Sequence, residues 1–279
     1  MRRINRMAAL AATSMFLLPT SGLAQSDGGI ITDTVSHETT PDIHVWAPAG
    51  EGPYPIVYAL HGTGVDHGTD WDVIGAELAR NGVVTFAADY HASDYLRGEF
   101  DRVTQTAECA YRYVREIASD FGGDLDLPIT YLGHSIGGSY ILGGGLGVDR
   151  FGPGSTYDIC FEGADRPDLI VSIAGCHFEA NGMSWPLIPS DFGTGEADLV
   201  FIGAELDDTC AAWQSDKAAE VFTAAGHDAT SVVVPRATHL TLIGHDIADD
   251  EFVTLADHPA PAAVAQVILG AIGEAEADL

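Results

Sequence analysis

Between Tyr54 and Ala275 short apolar runs alternate with longer amphipathic ones, and this alternation restricts the fold more than any other feature of the chain. The runs YPIVYALHG (54–62), VVTFAADY (83–90), PITYLGHS (128–135), DLIVSIAG (168–175), DLVFIGAEL (198–206) and ATSVVVP (229–235) are apolar almost without a break. Strands of that kind must be covered on both faces, which is the situation of a mostly parallel sheet. The stretches between them have the length and period of helices that could provide the cover: TDWDVIGAELARNG (69–82), residues 99–121, a run from Ile136, Cys210 to Ala225, and PAPAAVAQVILGAIGEA (259–275). Residues 29–49, with IITDTV and DIHVWAPA, read as antiparallel strands at the sheet's edge. The expected architecture is α/β, a mostly parallel central sheet of about eight strands with helices on both faces.

The first residues, MRRINRMAALAATSMFLLPTSGLAQ, combine a basic start at Arg2, Arg3 and Arg6, an apolar run, and small residues at Gly22 and Ala24. That pattern marks 1–24 as a signal peptide; the run is too short to span a membrane. Residues 25–279 then form a single domain in a secreted or periplasmic protein. The formal net charge is −29, from 41 acidic residues against 12 lysines and arginines, and Lys217 is the only lysine. Such a surface repels nucleic acid and anionic lipid, so neither is expected as a partner, and a monomer without a membrane anchor after cleavage is expected.

Export also decides how Cys109, Cys160, Cys176 and Cys210 are read. An even count in an oxidising compartment favours two disulfides. Neither a C-x-x-C nor an H-x-x-x-H spacing supports zinc, and no metal or cofactor is expected. Val103, Ala107, Ala110, Val114, Ile117 and Phe121 form one apolar stripe at 100° per residue, and Cys109 lies roughly 135° from its centre, facing away from the sheet. Cys160, in an irregular segment, would suit it as partner. Cys176 and Cys210 remain, just past the ends of two strands expected to be neighbours. The acidic run IADDEF, with Asp249, Asp250 and Glu251, lacks the glycine and spacing of a calcium loop and reads as a solvated face.

The strand-to-helix junction YLGHSIGG contains G-x-S-x-G as Gly133-His134-Ser135-Ile136-Gly137, with an apolar strand before it and a helix after it. Glycines there allow the sharp turn that exposes the Ser135 hydroxyl. A serine nucleophile needs a base, and the base needs an orienting acid. Both follow in order. Asp207, with Asp208 as the alternative, comes after DLVFIGAEL in the cluster GAELDDTC. His239, with His245 as the alternative, follows ATSVVVP in the loop RATH. The tetrahedral intermediate also needs backbone donors. LHGTG, ending the strand YPIVYALHG, supplies Gly62 and Thr63, and Ile136 after the nucleophile is the second donor. His61 reads as a loop-shaping residue and Glu205 as a structural one. Asp208 or Thr209 reads as the N-cap of the helix that follows the acid.

The chain resembles the α/β-hydrolase superfamily over nearly all of residues 25–279, in the order oxyanion loop, nucleophile elbow, acid, histidine. GHSIGG, IGAELDDT and RATHL are similar to the matching stretches of bacterial cutinase-like and polyester-degrading hydrolases and of dienelactone-hydrolase-like esterases. The resemblance implies the α/β-hydrolase fold, with Ser135 as nucleophile, Asp207 as acid and His239 as base. Two departures point away from polyesters: HGTG stands where cutinase-like enzymes carry an aromatic residue, and Gly175-Cys176-His177-Phe178 where they carry a tryptophan.

Two irregular segments, near 147–167 and 176–197, follow element ends on the side where open α/β sheets bind ligands, and are candidate cap or lid segments. Gly62, His134, His177, Phe178 and Trp185 are the candidate substrate-binding residues. The reading is a secreted serine carboxylic-ester hydrolase acting on a small, lipidic or polymeric ester. An acyltransferase or peptidase on the same fold, or a non-catalytic binding protein, are the alternatives.

Overall fold

The computed structural model describes residues 29–146 other than 39, 64–67, 93, 95–96 and 98, together with 167–180, 183–184, 197–248, 251–254 and 258–278. The expected signal peptide therefore lies outside the described residues, as do 147–166, 181–182 and 185–196 of the two irregular segments.

Strands β1 (Ile30–His37), β2 (Thr40–Pro48), β3 (Ile56–Leu60) and β4 (Val84–Ala88) are followed by β5 (Ile129–His134) and β6 (Leu169–Ile173). A two-residue pair, β7 (Glu179–Ala180) and β8 (Met183–Ser184), precedes β9 (Asp198–Ala204), β10 (Ala229–Val234) and a hairpin of β11 (His245–Ala248) with β12 (Glu251–Thr254). The helices are α1 (Asp72–Arg80), α2 (Phe100–Ile117), α3 (Ile136–Leu146), α4 (Trp213–Ala224) and α5 (Pro259–Asp278). The central sheet has eight strands in the order β1-β2-β4-β3-β5-β6-β9-β10. β1 pairs antiparallel with β2, and β2 with β4; all other neighbours are parallel.

Why the strands are apolar throughout is visible in β3. Ile56, Tyr58 and Leu60 point into one core with Val103, Ala107, Ala110 and Val114 of α2. Val57 and Ala59 alternate into a second core with Ile74 and Leu78 of α1 and Val264 and Ile268 of α5. Each face buries its own set, so helices on both sides are required.

Two local expectations need correction. The helix after the acid begins at Trp213 and not at Cys210, because the Asp207 carboxylate holds the N–H groups of Thr209 and Cys210 in a turn. Asp208 and Thr209 accordingly do not cap it, and its N-cap residue is Ala212. Cys109 is 2% exposed and disulfide-bonded, as the reading of it as one half of a bridge requires. Its expected partner, Cys160, lies outside the described residues. Asp249 and Asp250 of the acidic run lie outside the described residues. Among the described residues no helix is long and apolar enough to cross a membrane.

Candidate active site

At the end of β5 the chain turns from strand to helix within one residue. Ser135 has φ +56°, a left-handed conformation that costs a side-chain-bearing residue about 1–3 kcal/mol. Its N–H donates to the Ile173 carbonyl of β6 at 2.9 Å, and its own carbonyl accepts the Ser139 N–H at 3.2 Å. The turn needs close approach of backbone to backbone. A Cβ at Gly137 would stand 2.5 Å from the carbonyl oxygens of Leu60 and His61. A Cβ at Gly62 would stand 2.8 Å from the Ser135 Cβ and 3.4 Å from its Oγ. The loop after β3 thus lies directly against the elbow. Thr63 and Ile136, the expected oxyanion donors, are the chain neighbours of the two residues in this contact. Ile136 opens α3, where first-turn N–H groups have no acceptor within the helix.

That loop is shaped by His61, whose Nδ1 donates to the Gly62 carbonyl at 2.7 Å. The Tyr90 hydroxyl donates to the His61 carbonyl at 2.8 Å, and the two rings lie 4.7 Å apart. His61 is fully buried and structural, as its sequence position suggested.

The acid and the histidine meet from the ends of β9 and β10. His239 Nδ1–H donates to Asp207 Oδ2 at 2.7 Å; the Asp207 side chain is 0% exposed and that of His239 12%. With Nδ1 occupied as donor, the neutral imidazole keeps Nε2 as an acceptor. The other oxygen, Oδ1, accepts N–H groups from Thr209 and Cys210, each at 2.8 Å. Burial works against ionisation of Asp207, but the His239 hydrogen bond and charge and the two backbone donors outweigh it, holding the carboxyl below its ordinary value. Glu205 fastens the two loops together: its Oε2 accepts the N–H of Arg236, a residue at φ +59°, at 2.7 Å. The Leu206 N–H also donates to the Ala237 carbonyl at 2.8 Å. Asp208 is exposed. His245 is buried, its Nε2 donating to the Asp70 carbonyl at 3.0 Å.

The candidate substrate contacts divide. His134 is 2% exposed, donates from Nε2 to the main-chain carbonyl of His239 at 2.9 Å, and packs on the His239 ring at 4.7 Å. His177 is 1% exposed, with Nε2 3.2 Å from Ser172 Oγ and its ring edge-on to Phe201. Burial pushes both imidazoles down to about 3, and His239 beside His134 adds to its shift, which favours the neutral form of both. Phe178 is half-buried and stacks on Trp213 at 5.7 Å. Trp213, 48% exposed, is an aromatic that the sequence reading passed over. Trp185 lies outside the described residues.

Cys176 and Cys210 form the expected disulfide, with Cα atoms 4.8 Å apart. Because Ser139 Oγ of α3 donates to the Cys176 carbonyl at 2.8 Å, the bridge links the acid's loop to the helix that follows Ser135.

No protein-family model matches the sequence, and no curated protein does. Solved structures do. Esterase B from Lactobacillus rhamnosis HN001 superposes with a TM-score of 0.64 at 16% identity, over 89% of this chain and 87% of that one. Carboxyl esterase 2 from the mycorrhizal fungus Tuber melanosporum gives 0.62 at 17%, over 94% and 93%. A protein described as a dienelactone hydrolase, from Klebsiella pneumoniae, gives 0.61 at 16%, over 88% and 99%. The chain has the α/β-hydrolase fold.

On an α/β-hydrolase sheet the loops past β3, β5, β9 and β10 open toward one side, which explains how residues from Gly62 to His239 share a single neighbourhood. Sequence reasoning missed how the acid is held. An aspartate followed at the second and third positions by residues with free N–H groups is an Asx-type turn, and the reading DDTC could have shown it. The tie between His134 and His239 spans 105 residues and leaves no local signal.

Proposed function

We propose that this protein is an exported serine hydrolase acting on carboxylic esters through an acyl-enzyme. The observation that supports this best is the 2.7 Å Asp207–His239 hydrogen bond, tied through His134 to the strained, glycine-cradled Ser135. Ser135 Oγ attacks the ester carbonyl carbon while His239 Nε2 takes its proton. Asp207 fixes the tautomer and balances the imidazolium. The N–H groups of Thr63 and Ile136 receive the oxyanion, each contributing about 3 kcal/mol to the transition state. The carbonyl re-forms, the alcohol leaves with the proton from His239, and water activated by the same imidazole releases the acid. Esterase names recur among the fold's structural neighbours, which favours an ester over an amide. The N-terminal leader and the disulfides fit work in an oxidising compartment.

A series of p-nitrophenyl esters of increasing acyl length tests the reading. Wild type is expected to hydrolyse the short members and Ser135→Ala none above background. Hydrolysis retained by Ser135→Ala, or absent from wild type across the series, would overturn it.

A further inference from the structure

We infer that His134 is a positioning residue that sets the distance between nucleophile and base, and not a substrate contact; the inference rests on the hydrolase reading proposed above. His134 is the chain neighbour of Ser135, and its Nε2–H bonds the carbonyl of His239 itself, at 2.9 Å. The bond therefore joins the elbow directly to the main chain of the base. Asp207 holds the far side of the same imidazole, at Nδ1, so His239 is gripped at both ring and backbone. The backbone just before it is fixed too: the Thr238 N–H donates to Thr241 Oγ1 at 2.8 Å, and the Ala237 carbonyl accepts from Leu206.

The other side of the His134 ring faces the oxyanion loop. A Cβ at Gly62 would lie 3.3 Å from His134 Nδ1 and 3.4 Å from Ser135 Oγ. One buried ring is thus wedged between the loop that carries an oxyanion donor and the residue that takes the proton. Its neutrality matters, since a charge this close to His239 would oppose proton uptake by the base. A substrate-facing role needs exposure, and this side chain has almost none.

Two substitutions separate the hydrogen bond from the packing. His134→Phe keeps an aromatic ring against His239 and loses the donor; His134→Gln keeps an N–H at similar reach. The wild type and both variants are assayed with p-nitrophenyl acetate and butyrate, with thermal unfolding measured in parallel. His134→Phe is expected to lower kcat about tenfold or more with KM within about threefold, and His134→Gln to recover most of the loss. A second readout needs no turnover: the low-field NMR resonance of the His239 Nδ1 proton is expected in wild type and His134→Gln, and broadened or lost in His134→Phe. Unchanged kcat in His134→Phe with the resonance intact, an effect on KM alone, or a His134→Gln no better than the phenylalanine variant would each overturn the inference. Failure of the hydrolase reading looks different: no wild-type turnover on either ester, whatever the NMR spectra show. If His134→Phe does not fold, the glutamine variant decides, because loss of kcat in a folded His134→Gln that lacks the low-field proton contradicts rescue by the donor.

Discussion

Two places in this molecule gather a hydroxyl, an imidazole and a carboxylate, and we propose that only one of them is a reaction site. The first is Ser135, next to His134 that bonds the His239 carbonyl, with His239 and Asp207. The second lies across the sheet's antiparallel end, where Thr34 Oγ1 is 3.3 Å from His44 Nδ1 and His44 Nε2 is 3.2 Å from Asp89 Oδ1. The second set has the right chemical groups. It lacks everything that would concentrate their effect. Thr34 sits in regular pairing opposite His44 on an exposed strand, whereas Ser135 is forced to φ +56° between a strand and a helix N-terminus. His44 and Asp89 are 18% and 24% exposed and His44 lines an open groove of about 750 Å³, while the Asp207 side chain is sealed. Asp89 also spends one oxygen on the Gly68 N–H, fixing the far end of the loop that begins at Gly62. The difference teaches that a triad is recognised by strain, burial and nearby backbone donors and not by three residue types in a row.

The comparison breaks most dramatically at Ser135. Ser135→Ala is expected to reduce kcat for p-nitrophenyl butyrate by about 10⁴- to 10⁶-fold, and Thr34→Val to leave it within about twofold. Asp207→Asn comes next, with a loss of about 10³- to 10⁴-fold, because the amide favours the wrong imidazole tautomer. Asp208→Asn, one residue away and exposed, is expected to change turnover by less than about twofold. His44→Ala is expected to leave kcat/KM within about twofold.

The smallest effect is on stability at the His44–Asp89 pair, and its sign follows from the two shifts. The hydrogen bond from Asp89, working against burial, raises His44 above its ordinary 6.5, so its contribution is complete below pH 6.5 and fades as pH rises through the folded value. Burial disfavours ionised Asp89, but His44 and the Gly68 N–H outweigh it and hold the carboxyl below 3.8, so that contribution is present above pH 3.8 and fades as pH falls. The pair therefore stabilises most between about pH 4 and 6.5. His44→Ala is expected to cost less than ~1 kcal/mol there, because the pair is partly exposed, and thermal unfolding across that window checks it. Asp207 is likewise held below its ordinary value, so it stays ionised through the mildly acidic range. A base that must be neutral loses rate on acidification, and a rate profile flat from pH 5 to 8 would contradict that role for His239.

The sheet was legible in the sequence because β3, β5, β6 and β9 are buried on both faces, and that requirement writes itself as unbroken apolar runs. The elbow was legible for a similar reason: strain demands glycines at fixed offsets, and Gly133 and Gly137 stand there. The start of α4 was not, since helix propensity at Cys210 loses to the hydrogen bonds that Asp207 offers the backbone of Thr209 and Cys210. His134 and His177 read as substrate contacts from their position beside the site. Both are buried, and the bond of His134 to His239, 105 residues away, is one that no local pattern encodes.

The most direct test of the contrast between the two sites is to treat the protein with a fluorophosphonate, which is attacked by an activated hydroxyl and stays attached, and to map the adduct by peptide mass spectrometry. A single adduct on Ser135, formed in His44→Ala as readily as in wild type and abolished in Ser135→Ala, is the expected result. An adduct on Thr34, or none on Ser135 in the folded protein, would contradict it.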